Sequence, residues 1–323
     1  MAPINASASR TKPTRVVRPR AGGGLGDLRR KSALLVARPV FGLALLAGYL
    51  LPPAWLLSLA RQVSRAAYHL FPGLRANLLS NARHILGETS TPAERAALAR
   101  EVLRSFSRFL MEWVSPRCLP RPEEVFEDIA GREHFERAAE GGTGIIAVTI
   151  HLGNYELPSR ELAALRRQVS ILFGRERIEF LERLRSRVRR SRNLEEIVLG
   201  RSRFSGIQAL DRLREGGIVL LAGDQVSAPD AEPFAFLHGT APFSLWPARL
   251  SRASGAPILP AFCVARGPGR YGLHLEPPIF PGDRSPRDIT AELVTIFESY
   301  VREFPGQWLM VHEFWGRTVN PDE

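Results

Sequence analysis

Apolar positions along this chain follow two spacings, and the way they alternate predicts the architecture. The largely apolar runs Ile145 to Ile150, Val169 to Phe173 and Ile218 to Ala222 are short and carry β-branched residues, as strands buried on both faces do. Between and around them the spacing becomes helical: Pro158 to Arg167, Ile178 to Arg190 with Leu181, Leu184 and Val188 on one side, and Ile207 to Glu215, which stops at Gly216-Gly217. A further helix start stands at Thr91-Pro92-Ala93-Glu94, where an N-cap threonine, a first-turn proline and a glutamate make a capping box. The apolar face of that helix takes in Leu98, Val102, Phe106, Phe109 and Trp113. Strands alternating with helices predict an α/β fold, with a central, largely parallel sheet flanked by helices.

A different pattern precedes this domain. From Val40 to Ala60 no residue is charged, and the stretch matches the roughly 20 residues that span a bilayer. Pro52-Pro53 would break a straight helix inside it. The region is long for a signal peptide, and no small-residue cleavage site stands out after it. It is therefore read as a retained N-terminal membrane-anchoring segment, spanning the bilayer or lying in its interface; a hydrophobic hairpin packed on the domain is the alternative. The expected organisation is a basic disordered tail over 1–32, an anchor over 33–68, a catalytic-size domain over 69–317 and a short tail over 318–323.

Charge sharpens that division. The formal net charge is +11, and before Pro39 nine basic residues face Asp27 alone. By the positive-inside rule such a tail stays on the cytoplasmic side, where it also favours an anionic membrane surface. Only Lys12 and Lys31 are lysines among 44 basic residues, so an arginine here is weaker evidence of function than usual. No helix-turn-helix, zinc or RNA-binding signature accompanies the charge, so nucleic acid is not an expected partner. Two cysteines, Cys118 and Cys263, make neither a disulfide framework nor a metal cluster.

The chemistry concentrates where the first strand ends, in Ile150-His151-Leu152-Gly153-Asn154-Tyr155-Glu156. Strand-to-helix turns are where α/β proteins gather their active sites. A neutral imidazole held by a carboxylate can take a proton from an attacking alcohol, while the carboxylate fixes the tautomer and stabilises the imidazolium. His151 and Glu156 are not a helical i,i+4 pair, so they meet if a turn brings the glutamate back. On these residues alone the alternative is a surface histidine beside a glutamate that favours a helix N-terminus. The strand Ile218 to Ala222 delivers Gly223-Asp224-Gln225 to the same sheet edge as His151.

At this point the chain resembles a family, the bacterial lipid A biosynthesis acyltransferases within the lysophospholipid acyltransferase superfamily. Its signature, a histidine and an acid separated by four residues, is matched by His151 to Glu156, with Tyr155 where tryptophan is frequent. A second block is similar to Gly216-Gly217 through Asp224-Gln225, and a third to Pro247 through Leu250 with Gly255 through Phe262. Gln307-Trp308 through His312 to Trp315 is similar to the family's aromatic ending, although Glu313-Phe314 departs from its usual basic pattern. The resemblance covers roughly residues 70 to 317.

It implies transfer of a fatty acyl chain from a thioester of acyl carrier protein or coenzyme A to a hydroxyl of a membrane glycolipid such as a lipid A precursor, with no metal and no bound cofactor. The location implied is the bacterial inner membrane, with the catalytic domain on the cytoplasmic side. His151 is then the general base and Glu156 its orienting partner. Asn154, or N–H groups at the following helix start, would face the oxyanion. Asp224 and Gln225 are candidate acceptor or dyad ligands, or Asp224 caps the next turn. Arg175 and Arg249 would bind phosphates of donor or acceptor, plain solvation being the alternative. The stretch Arg175 to Arg203, with ten arginines and five glutamates, is either a basic face for an acidic carrier protein or anionic headgroups, or a solvated helix face.

Three rivals differ in their sequence marks. A lysophospholipid acyltransferase typically carries a Phe-Pro-Glu-Gly block, which this sequence lacks. A mannolipid or aminolipid acyltransferase would share the scaffold. A catalytically silent membrane adaptor would be expected to lose the histidine or the acid, and both are present. No Gly-X-Ser-X-Gly elbow occurs, which disfavours serine hydrolysis.

Overall fold

The computed structural model of the chain describes residues 48, 50–115, 118, 125–159, 168–174, 194–199, 204–224 and 231–315. The chain divides into two units, Met1–Gly42 and Leu43–Glu323, and the described residues all belong to the second. The N-terminal tail, the first part of the anchor segment, most of the helix expected over 158–167, the helix expected over 178–190, Arg175, Gln225 and the last residues lie outside them.

Helix α1 (Pro53–Leu70) opens at the proline pair, with Pro52 extended at the N-cap and Pro53 in the first turn, so the predicted break is a helix start. It is amphipathic: Leu56, Ala60, Ser64 and Tyr68 are buried, while Trp55, Leu59 and Val63 are exposed. Among the described residues no helix is long and apolar enough to cross a membrane. Helix α2 (Pro72–Leu86) follows, and then α3 (Pro92–Val114), on which α1 and α2 both pack. The start of α3 carries the predicted capping box, with Thr91 and Glu94 bonding reciprocally. Leu98, Val102 and Phe109 are buried along its face, and Phe106 is half-buried.

After β1 (Phe126–Ala130) and α4 (Arg132–Ala139) comes β2 (Ile145–Thr149), every residue of which is buried. Strands β3 (Val169–Gly174) and β4 (Glu195–Leu199), helix α5 (Ser205–Arg214) and β5 (Ile218–Ala222) complete the first half. A hairpin of β6 (Ala231–Phe236) and β7 (Gly239–Ser244) leads to α6 (Trp246–Ser254), β8 (Ile258–Gly267), β9 (Arg270–Leu275) and α7 (Pro286–Glu303).

Seven strands form one sheet in the order β1-β9-β8-β2-β5-β3-β4. The block β8-β2-β5-β3-β4 is parallel throughout; β9 runs antiparallel to β8 and takes β1 parallel to itself at the edge. The fold is thus the predicted α/β class, with the antiparallel turn confined to one side. Alternate residues of β2 feed two cores: Ile146 and Val148 join the larger one, built with α2, α3, α7 and the hairpin, while Ile145 and Ala147 join the smaller one, under α4. Burial on both faces is why the strand sequences read as largely apolar runs.

Candidate active site

Strands β2 and β5 are neighbours and pair in parallel with Thr149 opposite Ala222. Two residues beyond each partner the chain delivers His151 and Asp224, so the register itself sets them side by side. The imidazole Nδ1 of His151 is 2.7 Å from Asp224 Oδ1, and the His151 backbone N–H donates to Asp224 Oδ2 at 2.9 Å. Trp308 donates its indole N–H to the same Oδ2, also at 2.9 Å. A buried carboxylate thus takes three hydrogen bonds. Burial pushes the Asp224 carboxyl up, but the charge of His151 and the bonds from its ring, from Trp308 and from its backbone N–H outweigh this and hold the group below its ordinary value. An ionised Asp224 accepts from Nδ1–H, which leaves the lone pair of a neutral imidazole on Nε2.

Three separate elements hold the loop that carries His151. Leu309 N donates to His151 O at 2.7 Å and Gly153 N to Gln307 O at 2.9 Å, so the segment 307–309 runs beside the loop like an added strand. Gln307 is itself pinned to β8 through both ends of its amide, accepting from Ala265 N and donating to Ala265 O. On the other side Gly153 bridges Cys263. Here glycine is required: its φ is +59°, and a Cβ would stand 1.9 Å from Cys263 O. The ring of Tyr155 meets the His151 ring edge-on at 4.6 Å and stacks on Phe109 at 5.0 Å, which limits rotation of the imidazole.

The C-terminal segment that supplies Trp308 is locked to α2 by Asn81. Its amide donates to Met310 O at 3.0 Å and His312 O at 2.7 Å, and its carbonyl accepts from Phe314 N at 3.0 Å. Around the indole, Phe236, Phe314 and Trp315 form an aromatic cluster.

The structure therefore joins His151 to Asp224, two of the residues singled out in the sequence. Glu156 is buried in the turn over 155–157 of the same loop, and Asn154, also buried, donates its amide N–H to Glu112 at 3.0 Å. Arg249 sits exposed on α6; Arg175 and Gln225 lie outside the described residues. Trp308 appeared in the sequence only as part of an aromatic ending, and Glu112 was not singled out at all. No local pattern links either to a motif that lies far away in the chain.

A base-acid pair at the C-terminal edge of a parallel sheet, beside a histidine-acid loop, fits acyl transfer to an alcohol, and the comparisons define the enzyme class as acyltransferase. The family model described as bacterial lipid A biosynthesis acyltransferase matches residues 30–317, and the chain belongs to that family. The match begins further toward the N-terminus than the resemblance over 70 to 317. Two curated relatives, both phosphatidylinositol mannoside acyltransferases from strains of Mycobacterium tuberculosis, are 23% identical to this chain. One matches over 219 residues, 66% of this chain and 68% of the relative; the other over 188 residues, 58% and 59%. Taken together, these findings make the protein a membrane-lipid acyltransferase.

Proposed function

We propose that this enzyme transfers a fatty acyl chain from a thioester, of acyl carrier protein or coenzyme A, to a hydroxyl of a membrane glycolipid, with His151 as general base. The observation that carries the reading is the bond between His151 Nδ1 and the buried Asp224. Nε2 takes the proton of the acceptor hydroxyl as its oxygen attacks the thioester carbonyl. The tetrahedral intermediate then collapses, the C–S bond breaks, and the imidazolium returns the proton to the departing sulfur. Asp224 stabilises the imidazolium without taking its proton. Glu156, the acid of the loop's own motif, acts alongside it on the charge of the ring. N–H groups at the following helix start are the proposed oxyanion donors, the alternative to Asn154, whose amide N–H is held by Glu112. Arg175 and Arg249 are candidates for binding phosphates of the acceptor or donor, and Gln225 is a candidate acceptor or dyad ligand.

A lipid A precursor is the acceptor suggested by the family. A mannolipid is the second reading, favoured by the names of the two mycobacterial relatives. The proposed location is the cytoplasmic side of the inner membrane. Trp55, Leu59 and Val63 make an exposed apolar stripe on α1, and the exposed Arg61 and Arg65 lie on the same helix to meet anionic headgroups.

The test is mass spectrometry of total lipids from cells lacking the gene, complemented with wild type or His151→Ala. Loss of one acyl chain from a glycolipid, restored by wild type and not by His151→Ala, is the expected result. An unchanged glycolipid pool contradicts the acceptor, and full restoration by His151→Ala contradicts the mechanism.

A further inference from the structure

Bonded to the His151 loop is a further buried acid that the acyl-transfer chemistry does not use. Glu112, in the last turns of α3, is 1% exposed. Its Oε2 accepts from Asn154 Nδ2 at 3.0 Å and from the hydroxyl of Tyr271 on β9, itself buried. Its Oε1 has no hydrogen-bond partner, nor does Arg108 Nε, and the two stand 3.8 Å apart, close enough for attraction and too far for a bond. A buried carboxylate with one oxygen unsatisfied costs stability, and an apolar side chain at this point of α3 would avoid that cost. What the acid supplies instead is geometric. One oxygen ties α3, β9 and the third residue after His151 to a single point. The residue before Asn154 also lies against the sheet, since Gly153 bridges Cys263 of β8.

The geometry points to Glu112 as a positioning residue for acyl transfer, setting the course of the loop from His151 to Glu156 through Asn154 and Tyr271. It touches neither substrate nor the reacting atoms. A fault here therefore displaces the base from its attack geometry without removing it, and a misplacement on the order of 1 Å costs about 100-fold in rate. The inference rests on His151 being the base, so its test carries one readout that does not depend on turnover.

The experiment compares full-length wild type with Glu112→Ala, Glu112→Gln, Asn154→Ala and the Glu112→Ala/Asn154→Ala double variant. The assay is thiol release from palmitoyl-CoA in mixed micelles holding the glycolipid fraction of cells that lack this gene. Backbone hydrogen exchange over residues 151–156 is followed in parallel. Glu112→Ala is expected to lower kcat about 100-fold with KM within about threefold, while Glu112→Gln, which keeps an acceptor, stays within about fivefold of wild type. The double variant is expected to be no slower than the slower single variant, since both break one link. Exchange over 151–156 should quicken in the alanine variants, with the protection of β2 and β5 unchanged. Wild-type kcat in a folded Glu112→Ala, additive losses in the double variant, or Glu112→Gln as slow as Glu112→Ala would overturn the role. Should Glu112→Ala fail to fold, Asn154→Ala and Glu112→Gln decide it by the same criteria. If His151→Ala kept full turnover, the base assignment would fall, and exchange in the loop would still report whether Glu112 holds it.

Discussion

His151 and Asp224 stand two residues beyond Thr149 and Ala222, a registered pair of the parallel ladder between β2 and β5, and their side chains meet at 2.7 Å. The contact between them is thus an extension of strand register. Nothing in either loop has to search for the other, because the sheet brings both ends to the same height. Loss of register by one residue would separate the pair, and the buried apolar faces of both strands guard against it.

Trp308 is expected to matter through Asp224 rather than through substrate. Trp308→Phe keeps most of the aromatic packing and removes the indole N–H that donates to Oδ2. Leaving a buried charged acceptor short of one donor costs roughly 1–3 kcal/mol. The expected outcome is a fall in kcat of about 10- to 100-fold with KM little changed, measured in steady-state assays. A variant with wild-type kcat would show that Asp224 is held well enough without it.

Gly153→Ala should damage the loop directly. A positive φ costs an L-residue about 1–2 kcal/mol, and the added Cβ meets the Cys263 carbonyl at a distance no rotamer relieves. Thermal unfolding is expected to drop by several degrees and activity to be lost together with it. A variant that kept both would mean that the loop takes another path.

Glu112 gives a pH signature in stability. Burial raises its carboxyl above the ordinary value of 4.5, against the opposing effects of Tyr271, Arg108 and Asn154. The folded state therefore holds this proton more tightly than the unfolded chain does. The contribution is present below the unfolded value and is lost as pH rises through the folded one. Glu112→Gln cannot ionise, so its Tm relative to wild type should climb as pH rises above about 4.5. A Tm difference independent of pH would contradict a raised value.

Helix α1 is expected to bind membranes by its exposed stripe. Trp55 is 69% exposed, and Leu59 and Val63 follow it at helical spacing. At roughly 1.5–3 kcal/mol for each apolar side chain buried, Leu59→Asp should weaken binding to phosphatidylglycerol vesicles about tenfold or more in a sedimentation assay. Unchanged binding would place the membrane contact elsewhere in the chain.

The sequence pattern made much of this legible, for a physical reason. Strands buried on both faces are largely apolar, so β2, β3 and β5 stand out within one residue of their bounds, and the ends of β2 and β5 mark the sheet edge that carries His151 and Asp224. Capping chemistry is local, so Thr91 and Glu94 were equally plain. By contrast, the links from Asp224 to Trp308 and from Asn154 to Glu112 join positions 84 and 42 residues apart, and no periodicity encodes which side chains meet across such distances. The apolar segment from Val40 reads in the sequence as a membrane anchor, an expectation that its described part neither establishes nor removes. That its described part becomes an amphipathic helix follows from Arg61 and Arg65, which lie just beyond the uncharged run.

The central claim is that His151 acts as a base whose tautomer is set by Asp224, and single-turnover acyl transfer by purified Asp224→Asn tests it most directly. The asparagine keeps the shape while presenting an amide to Nδ1, so the proton on the ring shifts to the wrong nitrogen. The expected result is a fall in rate on the order of 10³- to 10⁴-fold, with the folded structure and substrate binding retained. A rate within a few-fold of wild type would contradict the claim.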